Sequence, residues 1–536
     1  MKFRGFGLIV SLMLLVWVGY WLAGTAVPPA VHREKQVAAV DGVKSRGIVE
    51  ERAPKFRREQ RMLKFDGDDE ALKVGALQGQ RILVFKDQAA VDAFLKRAGN
   101  RVLLMGRLDA LNALRVGFAD PGELAALLDG GEQASFVFPV NITPPGEGTA
   151  QAGAVALGAG LLDWLGVTGD NSTWGRGVQV AILDTGVTSS PAFLSKILSL
   201  NLVDLPGDLT KQNGHGTAVA SMIIGQNPMT PGVAPGAKIL SIRIANDLGQ
   251  SDSFLLAQGI IAAVDGGAGL INISMGSVGD NALVRKAIEY AQAAGAVIFA
   301  AAGNNGSERV SYPAANDGVI AVGAVDALGN HLDFSNTGKQ VAISAPGYGV
   351  NAAWTGDQAA SVSGTSFSAP IVLATVAAVK SWPGNESLSM RQAVDLVFSY
   401  LNDGGAAGAD VELGGGMPDL SRILNRKTPG IYDAAVASQR VVVSSTGNSS
   451  GVLEVLVQNR GTETLINTGV QISTPGGMVR SNITSLAVGA VQTIRVPISW
   501  VKGASVHFES RVNLSGGRKD VKPSNDLRVQ NYVPAN

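Results

Sequence analysis

The stretch Ser363-Gly-Thr-Ser-Phe-Ser-Ala-Pro370 stands directly before an apolar run, Ile371 to Val379. The Gly-Thr pair and its small neighbours predict a turn that leads into a helix at this point. The first amides of a helix have no partner within it and carry partial positive charge, so an anionic oxygen is stabilised there. Ser366 can therefore be a helix cap, or a nucleophile whose own amide serves as an oxyanion donor.

A candidate acid and a candidate base precede this serine. A short apolar strand from Val178 ends in Asp184-Thr-Gly186, and Asn213-Gly-His-Gly-Thr217 places His215 at the start of a helix of small residues. The chain has four histidines, and His215 alone lies in a glycine-flanked turn. An Asp-Thr-Gly also occurs in aspartic-protease dyads, but a dyad needs a second copy, which the sequence lacks.

The order of these residues separates the known arrangements of a catalytic triad. Chymotrypsin-like enzymes run His, Asp, Ser and α/β-hydrolases run Ser, Asp, His, whereas subtilisin runs Asp, His, Ser. The segment Gly364-Thr-Ser-Phe-Ser368 also lacks the final glycine of the Gly-x-Ser-x-Gly turn of the hydrolases. From about Leu162 to Asn425 the sequence resembles the subtilisin-like serine proteases, the subtilases or peptidase S8 family. A fourth block, Ile298 to Gly306, agrees with this resemblance.

The resemblance implies roles for four residues. Ser366 would attack the scissile carbonyl, His215 would carry its proton to the leaving amine, and Asp184 would orient the imidazole. The side-chain amide of Asn304 and the amide of Ser366 would hold the oxyanion. Taken alone, Asn304 beside Gly303 and Gly306 is more typical of a turn residue than of an oxyanion donor.

The resemblance also implies a peptide-binding cleft. The segment Leu270 to Gly276 is similar to the strand that pairs with extended substrate, and the segment around Leu248 to Ser251 would pair on the other side. Small residues in the walls of this cleft leave room for a medium or large apolar side chain of the substrate. The same residues are also typical of buried strands. The candidate substrate-binding residues are Ser274, Met275, Gly276, Ala301, Ala302 and Gly303.

Composition limits the class of protein. A length of 536 residues predicts three or four domains, and 46% hydrophobic residues can bury a large core. With 44 basic and 44 acidic side chains, bulk charge favours no nucleic-acid or membrane-surface partner. The absence of cysteine excludes disulfides and thiol catalysis. No cofactor is needed for the expected chemistry. The family often binds structural calcium, but no dense acidic loop supports a metal site here.

The N-terminus predicts export. Lys2 and Arg4 precede an uncharged apolar run from Phe6 to Ala26, which ends in small residues as a signal-peptidase site does. We expect a cleaved signal peptide over residues 1–26. A run of about 20 apolar residues can also remain as a membrane anchor, and this would be the one route to a membrane partner. The expected location is periplasmic, cell-surface or extracellular.

Four further regions follow. Residues 27–75 are charged and predict an extended segment. Residues 76–150 show a β-α-β-β-α-β pattern with a last strand from Ser135 to Val140, similar to the ferredoxin-like propeptide of subtilases. Such a propeptide would be the chain's own intramolecular inhibitor, cut away between about Asn141 and Gln151; a separate binding module is the alternative.

Residues 151–428 predict an α/β catalytic domain with a mostly parallel sheet and flanking helices. Residues 429–536 alternate apolar and polar side chains between glycine-rich turns, which favours an immunoglobulin-like β-sandwich. Its role could be anchoring, substrate presentation or stability.

The sequence as a whole favours an exported, self-processing serine endopeptidase that hydrolyses proteins or peptides through an acyl-enzyme. The alternative is a catalytically silent protein of the same fold that serves as a binding module.

Overall fold

The computed structural model describes residues 68–146, 151, 153–193, 197–203, 213–443, 449–501 and 504–533. The expected signal peptide and residues 27–67 of the expected extended segment lie outside the described residues. The described end of that segment is not extended, because Asp68–Lys73 forms a helix, α1. Ala71 on this helix is fully buried in a small apolar cluster with Phe138, and this contact gives the short helix a packing partner.

The N-terminal region is a four-stranded antiparallel sheet with two helices. Asp87 and Asp120 cap the two helices by accepting hydrogen bonds from backbone amides of the first turn. The strand order is β2-β3-β1-β4. The elements are β1 Gln80–Val84, α2 Gln88–Ala98, β2 Leu103–Leu108, β3 Ala113–Gly117, α3 Pro121–Leu127 and β4 Gln133–Phe136.

The expected last strand from Ser135 to Val140 is divided in two. Its first part belongs to β4, and its second part is a separate strand, β5 Pro139–Asn141, which leaves this sheet. Pro139 has no N–H to give to a ladder, and Phe138 before it is buried against Gly279. The chain thus leaves the N-terminal sheet, and β5 pairs with a short strand of the central domain instead.

A seven-stranded parallel sheet forms the centre of the molecule, in the order β15-β14-β13-β12-β6-β10-β7. The expected mostly parallel α/β domain is confirmed. The strands are β6 Gln179–Asp184, β7 Ile197–Asn201, β10 Lys238–Arg243, β12 Leu270–Ile273, β13 Val297–Ala301, β14 Val319–Val325 and β15 Val341–Pro346. The two outermost strands, β7 and β15, were not predicted. β7 is mostly exposed, so it carries no clear apolar pattern.

Helices cover both faces of this sheet. They are α4 Leu161–Trp164, α5 His215–Ile224, α6 Ser253–Asp265, α7 Ala282–Ala293, α8 Thr365–Ser381, α9 Met390–Phe398 and α10 Leu420–Asn425. Short paired strands complete the domain: β8 Gln226–Asn227, β9 Thr230–Pro231, β11 Gln250–Asp252, β16 Val350–Ala353 and β17 Ala359–Val362. On α8, every residue from Thr365 to Val379 is buried, as expected for a helix that runs through a core.

The N-terminal sheet and the central sheet share one apolar core. Ile82, Val84 and Ala113 of the N-terminal sheet lie in the same buried cluster as residues of α6 and α7. The other face of the N-terminal sheet packs on α2 and α3 through a second cluster that includes Phe94 and Leu114. The N-terminal sheet is therefore covered on both sides, once by its own helices and once by the central domain.

The C-terminal region consists of two antiparallel sheets, of three and four strands, around one apolar core. The expected alternation is present, since Leu453, Val455 and Val457 are all buried there. The immunoglobulin-like identity stays a prediction. The strands are β18 Ala434–Val443, β19 Ser450–Asn459, β20 Leu465–Thr474, β21 Gly477–Leu486, β22 Val491–Ser499, β23 Val506–Asn513 and β24 Leu527–Tyr532.

Over the described parts of the chain, we find no helix with the length and apolar character needed to span a bilayer.

Candidate active site

Asp184 and His215 are in direct contact. Asp184 ends β6 and His215 begins α5, and the His215 Nδ1 lies 2.9 Å from both carboxylate oxygens of Asp184. The carboxylate is fully buried and the histidine is 6% exposed. A carboxylate at Nδ1 favours the tautomer with the proton on Nδ1, which leaves Nε2 free to accept a proton.

Thr185 and Gly216 hold this pair in place. Asp184 Oδ1 accepts a hydrogen bond from the Thr185 amide at 2.7 Å, and the Thr185 hydroxyl accepts one from the Gly216 amide at 3.2 Å. A side chain at Gly216 would lie 2.3 Å from the carbonyl oxygen of Gly186. The glycine is required here because α5 approaches the end of β6 so closely.

Ser366 is the second residue of α8 and is 4% exposed. Its hydroxyl donates to the carbonyl oxygen of Ser274 at 3.1 Å, and the Ser274 hydroxyl donates to the carbonyl oxygen of Ser366 at 2.6 Å. The ring of the next residue, Phe367, lies 5.2 Å from the imidazole of His215. The residue after Ser366 thus contacts the histidine ring, and the Ser366 hydroxyl donates to the residue that follows β12.

Asn304 lies in the loop after β13, and Thr365 fixes its side chain. The Thr365 amide and hydroxyl both donate to Asn304 Oδ1, each at 2.8 Å. This leaves the Asn304 Nδ2 group free to point into the cleft. This role of Thr365 was not predicted from the sequence, although the residue lies within the stretch that carries Ser366.

Gly364 precedes the serine-bearing helix with a φ of 136°, in the region that strongly favours glycine. A side chain there would also lie 3.0 Å from Asn304 Nδ2. Asn336, which was also not predicted, accepts hydrogen bonds from the amides of Asn305 and Ser307. No local motif marks Asn336, since it acts on a loop about 30 residues earlier.

Strand β5 of the N-terminal region lies in the expected peptide-binding cleft. It pairs antiparallel with β11, where Val140 faces Ser251. On its other side Asn141 and Gly276 exchange two backbone hydrogen bonds of 2.9 Å. Both segments that were predicted to bind substrate therefore pair with the chain's own residues 139–141.

The end of this segment reaches Asn304. The Ile142 amide donates to the Gly249 carbonyl oxygen at 2.9 Å, and Asn304 Nδ2 donates to the Thr143 carbonyl oxygen at 2.6 Å. The carbonyl of Thr143 thus occupies the position at which a side-chain amide would stabilise an oxyanion.

A cavity of about 270 Å³ opens beside Thr143 and Ser366. Five of the six candidate substrate-binding residues line it: Ser274, Met275, Gly276, Ala301 and Gly303. The sixth, Ala302, does not line this cavity and is fully buried in the apolar core. Its role in substrate binding stays a prediction.

In the part of the chain that the structure describes, no cluster of three or more His, Cys, Asp or Glu side chains is arranged to hold a metal ion.

The central part of this chain is similar to known proteins. The family model of the subtilase family, Peptidase S8, matches residues 175–416. Thermostable alkaline protease of Halalkalibacterium halodurans is 37% identical over 42% of this chain, and the match spans 64% of that relative, less than two thirds of its length. Subtilisin DY of Bacillus licheniformis is 33% identical, over 43% of this chain and 86% of that protein.

The solved protease domain of PatA, a serine-to-alanine mutant, is 30% identical, with a TM-score of 0.44 over 48% of this chain and 97% of that structure. Because the chain covers most of subtilisin DY at this level of identity, it belongs to the subtilase family of serine peptidases.

Proposed function

We propose that this chain is an exported, self-processing serine endopeptidase that hydrolyses proteins or peptides. The observation that carries the proposal is the position of the Thr143 carbonyl oxygen, 2.6 Å from Asn304 Nδ2 and beside Ser366. A backbone carbonyl is the group that such an enzyme must bind. The buried contact between Asp184 and His215 supplies the matching base.

The four residues divide the reaction among them. The Ser366 oxygen forms a bond to the carbonyl carbon while His215 takes its proton, and the carbon–nitrogen bond then breaks as His215 protonates the leaving nitrogen. Water hydrolyses the resulting ester by the same route. Asp184 keeps the imidazole in the required tautomer. This chemistry needs no cofactor.

The Ser366 hydroxyl must rotate for this reaction. It donates to Ser274 while β5 fills the cleft, and it has to turn to His215 Nε2 before attack. Asn304 and the Ser366 amide would then share the developing charge. Removal of the asparagine donor should lower kcat by about 10²–10³, the loss that removing the equivalent donor causes in subtilisin.

The N-terminal sheet is proposed to be the propeptide and the intramolecular inhibitor of the enzyme. Its strand order, β2-β3-β1-β4, supports the ferredoxin-like arrangement. Its strand β5 lies in the cleft and pairs with the chain segments on both sides of it. Substrate therefore cannot bind until β5 leaves. The separation of the N-terminal sheet would follow a cut between about Asn141 and Gln151.

The remaining regions complete the proposal. The apolar N-terminus supports export, by a signal peptide over residues 1–26 or by an anchor. The C-terminal β-sheets would form an immunoglobulin-like accessory domain. Structural calcium has no support among the described side chains, and measurement of Tm with and without a chelator tests whether the protein binds it.

The decisive experiment compares the wild type with Ser366→Ala, and uses Ser361→Ala, an exposed serine, as the matched control. We expect the wild type and the control to lose the N-terminal region and to react with a fluorophosphonate probe. The Ser366→Ala protein should accumulate as the full precursor. Equal processing in all three proteins, with no reaction of the wild type with the probe, would instead support the catalytically silent alternative.

A further inference from the structure

The backbone pairing in the cleft defines which peptide bond is presented to Ser366. Asn141 pairs with Gly276, Ile142 donates to Gly249, and the next carbonyl, that of Thr143, accepts from Asn304. The bond that follows this carbonyl joins Thr143 to Pro144, and Pro145 comes next. The bond at the catalytic position is therefore an X-Pro bond followed by a second proline.

We propose that Pro144 makes this bond a poor substrate, so that residues 139–143 stay in the cleft as a substrate-like inhibitor until the chain is cut at a bond other than the one that it presents. The proposal rests on the proposed function and concerns the regulation of the same site. It also concerns the position of the new N-terminus, which should not be Pro144.

The chemical reason lies at the leaving nitrogen. When Ser366 bonds to the Thr143 carbon, the amide nitrogen becomes pyramidal, and its lone pair must turn towards His215 to receive the proton. In an ordinary peptide bond only a hydrogen has to move aside. The nitrogen of Pro144 carries the ring carbon Cδ in place of that hydrogen, and the ring fixes the rotation about the adjacent bond. The intermediate therefore returns to reactants more often than it expels the amine.

Pro145 adds stiffness but does not supply the leaving nitrogen. A residue before proline is restricted to extended conformations, so Pro144 is constrained from both sides. A side chain on Gly364 would lie 3.6 Å from Pro145 Cδ, which places the second proline against the turn before Ser366. The two prolines thus have little freedom to move when the nitrogen must reorient.

The contacts of the serine agree with a stalled arrangement. Asn304 already binds the Thr143 carbonyl, yet the Ser366 hydroxyl donates to the Ser274 carbonyl at 3.1 Å. The substrate-like segment is bound as a substrate would be, while the hydroxyl of the nucleophile donates to a main-chain carbonyl.

The test uses the full chain and three variants: Pro144→Ala, Pro145→Ala and Ser366→Ala. Each is purified as precursor and followed over time by intact mass and by sequencing of the new N-terminus. In Pro144→Ala we expect cleavage after Thr143, so that the new chain begins at the substituted position, at least about tenfold faster than any cut after Thr143 in the wild type. Pro145→Ala keeps the proline nitrogen and should stay as slow as the wild type. Ser366→Ala gives the rate of any cleavage that does not depend on the Ser366 hydroxyl.

Three results would overturn the inference. If the wild type is cut after Thr143 as fast as Pro144→Ala is, the proline does not limit the step. If Pro144→Ala is not cut there either, while the wild type hydrolyses an added casein substrate, the presented bond is protected for another reason and the proposed function still stands. If no protein hydrolyses casein or reacts with a fluorophosphonate, the proposed function itself fails, and this inference with it.

Discussion

Thr365 donates both its backbone N–H and its hydroxyl to the same oxygen of Asn304, each at 2.8 Å. The hydroxyl also accepts a hydrogen bond from the Gly303 amide at 3.2 Å. The residue before Ser366 therefore fixes the side chain that binds the Thr143 carbonyl. A rotation of the Asn304 amide would lose both of these hydrogen bonds.

We predict that Thr365→Val lowers kcat by about 3- to 10-fold. The change removes one hydrogen bond to Asn304, and a net hydrogen bond contributes about 0.5–1.5 kcal/mol. Because Asn304 is proposed to act on the oxyanion, kcat should fall while KM changes little. Thr365→Ser keeps the hydroxyl and should restore kcat to near the wild-type value. A KM effect alone, or failure of the serine variant to restore the rate, would contradict this positioning role.

Arg115 joins the N-terminal sheet to the central domain. Its Nη1 lies 2.8 Å from Asp252 Oδ2, and both side chains are mostly buried. Asp252 also caps α6 by accepting hydrogen bonds from two backbone amides. The ion pair thus fastens the N-terminal sheet to the start of a helix beside the cleft.

We predict that Arg115→Met shortens the delay before peptidase activity appears after refolding, by about 5-fold or more. Loss of a charge-assisted hydrogen bond weakens the hold on the N-terminal sheet by about 1.5–3 kcal/mol. The matched control is Arg107→Met, because Arg107 pairs with Asp109 at an exposed position where such pairs contribute little. Equal delays in the two variants would show that the buried pair does not retain the sheet.

The cavity beside Thr143 predicts a preference for a larger side chain at the residue before the cut. Its volume of about 270 Å³ is open although Thr143 lines it, so a threonine does not fill it. Peptide anilides with phenylalanine or leucine at this position should have a kcat/KM about 10-fold or more above those with threonine, since each buried methylene contributes about 0.8 kcal/mol. Ala301→Leu should abolish the difference by filling the cavity. An unchanged preference in this variant would place the specificity pocket elsewhere.

Stability should depend on pH through the C-terminal region. Burial, with the charges of Asp520 and Asp433, raises the pKa of Asp526 to about 7. The folded state then holds this proton more tightly than the unfolded state does. The contribution of protonated Asp526 to stability is complete at pH values below the ordinary pKa range of a carboxyl group. It is lost as the pH rises through about 7.

We therefore expect the Tm of Ser366→Ala, which cannot digest itself, to fall between pH 5 and pH 8. Addition of Asp526→Asn should make this fall shallower. Part of the slope should remain, because burial also raises the pKa of Asp403 to about 6. The control is Asp357→Asn, at an exposed position. A slope identical in the two variants would exclude Asp526 as the titrating group.

Local patterns predicted much of the fold. The alternation around Leu453 and the apolar strand before Asp184 each express a repeat within a few residues, and both are present as expected. The edge strand β7 was missed because it is mostly exposed. The helix at Asp68 was missed because its partner, Phe138, lies about 70 positions later in the chain.

The sequence by itself determined which residues are candidates for the chemistry of the site. Asp184, His215, Asn304 and Ser366 each lie in a short glycine-rich motif, and such motifs record a local requirement for a turn and a reactive side chain. The order of the motifs was enough to indicate the family.

Only the tertiary structure decided what fills the cleft. The contact between Asn304 and Thr143 joins residues 161 positions apart, and it exists because the N-terminal sheet packs on α6 and α7 through a shared apolar core. No local pattern encodes that distance. Packing of one apolar surface on another sets the register of β5, and the register brings a proline to the bond that Ser366 would attack.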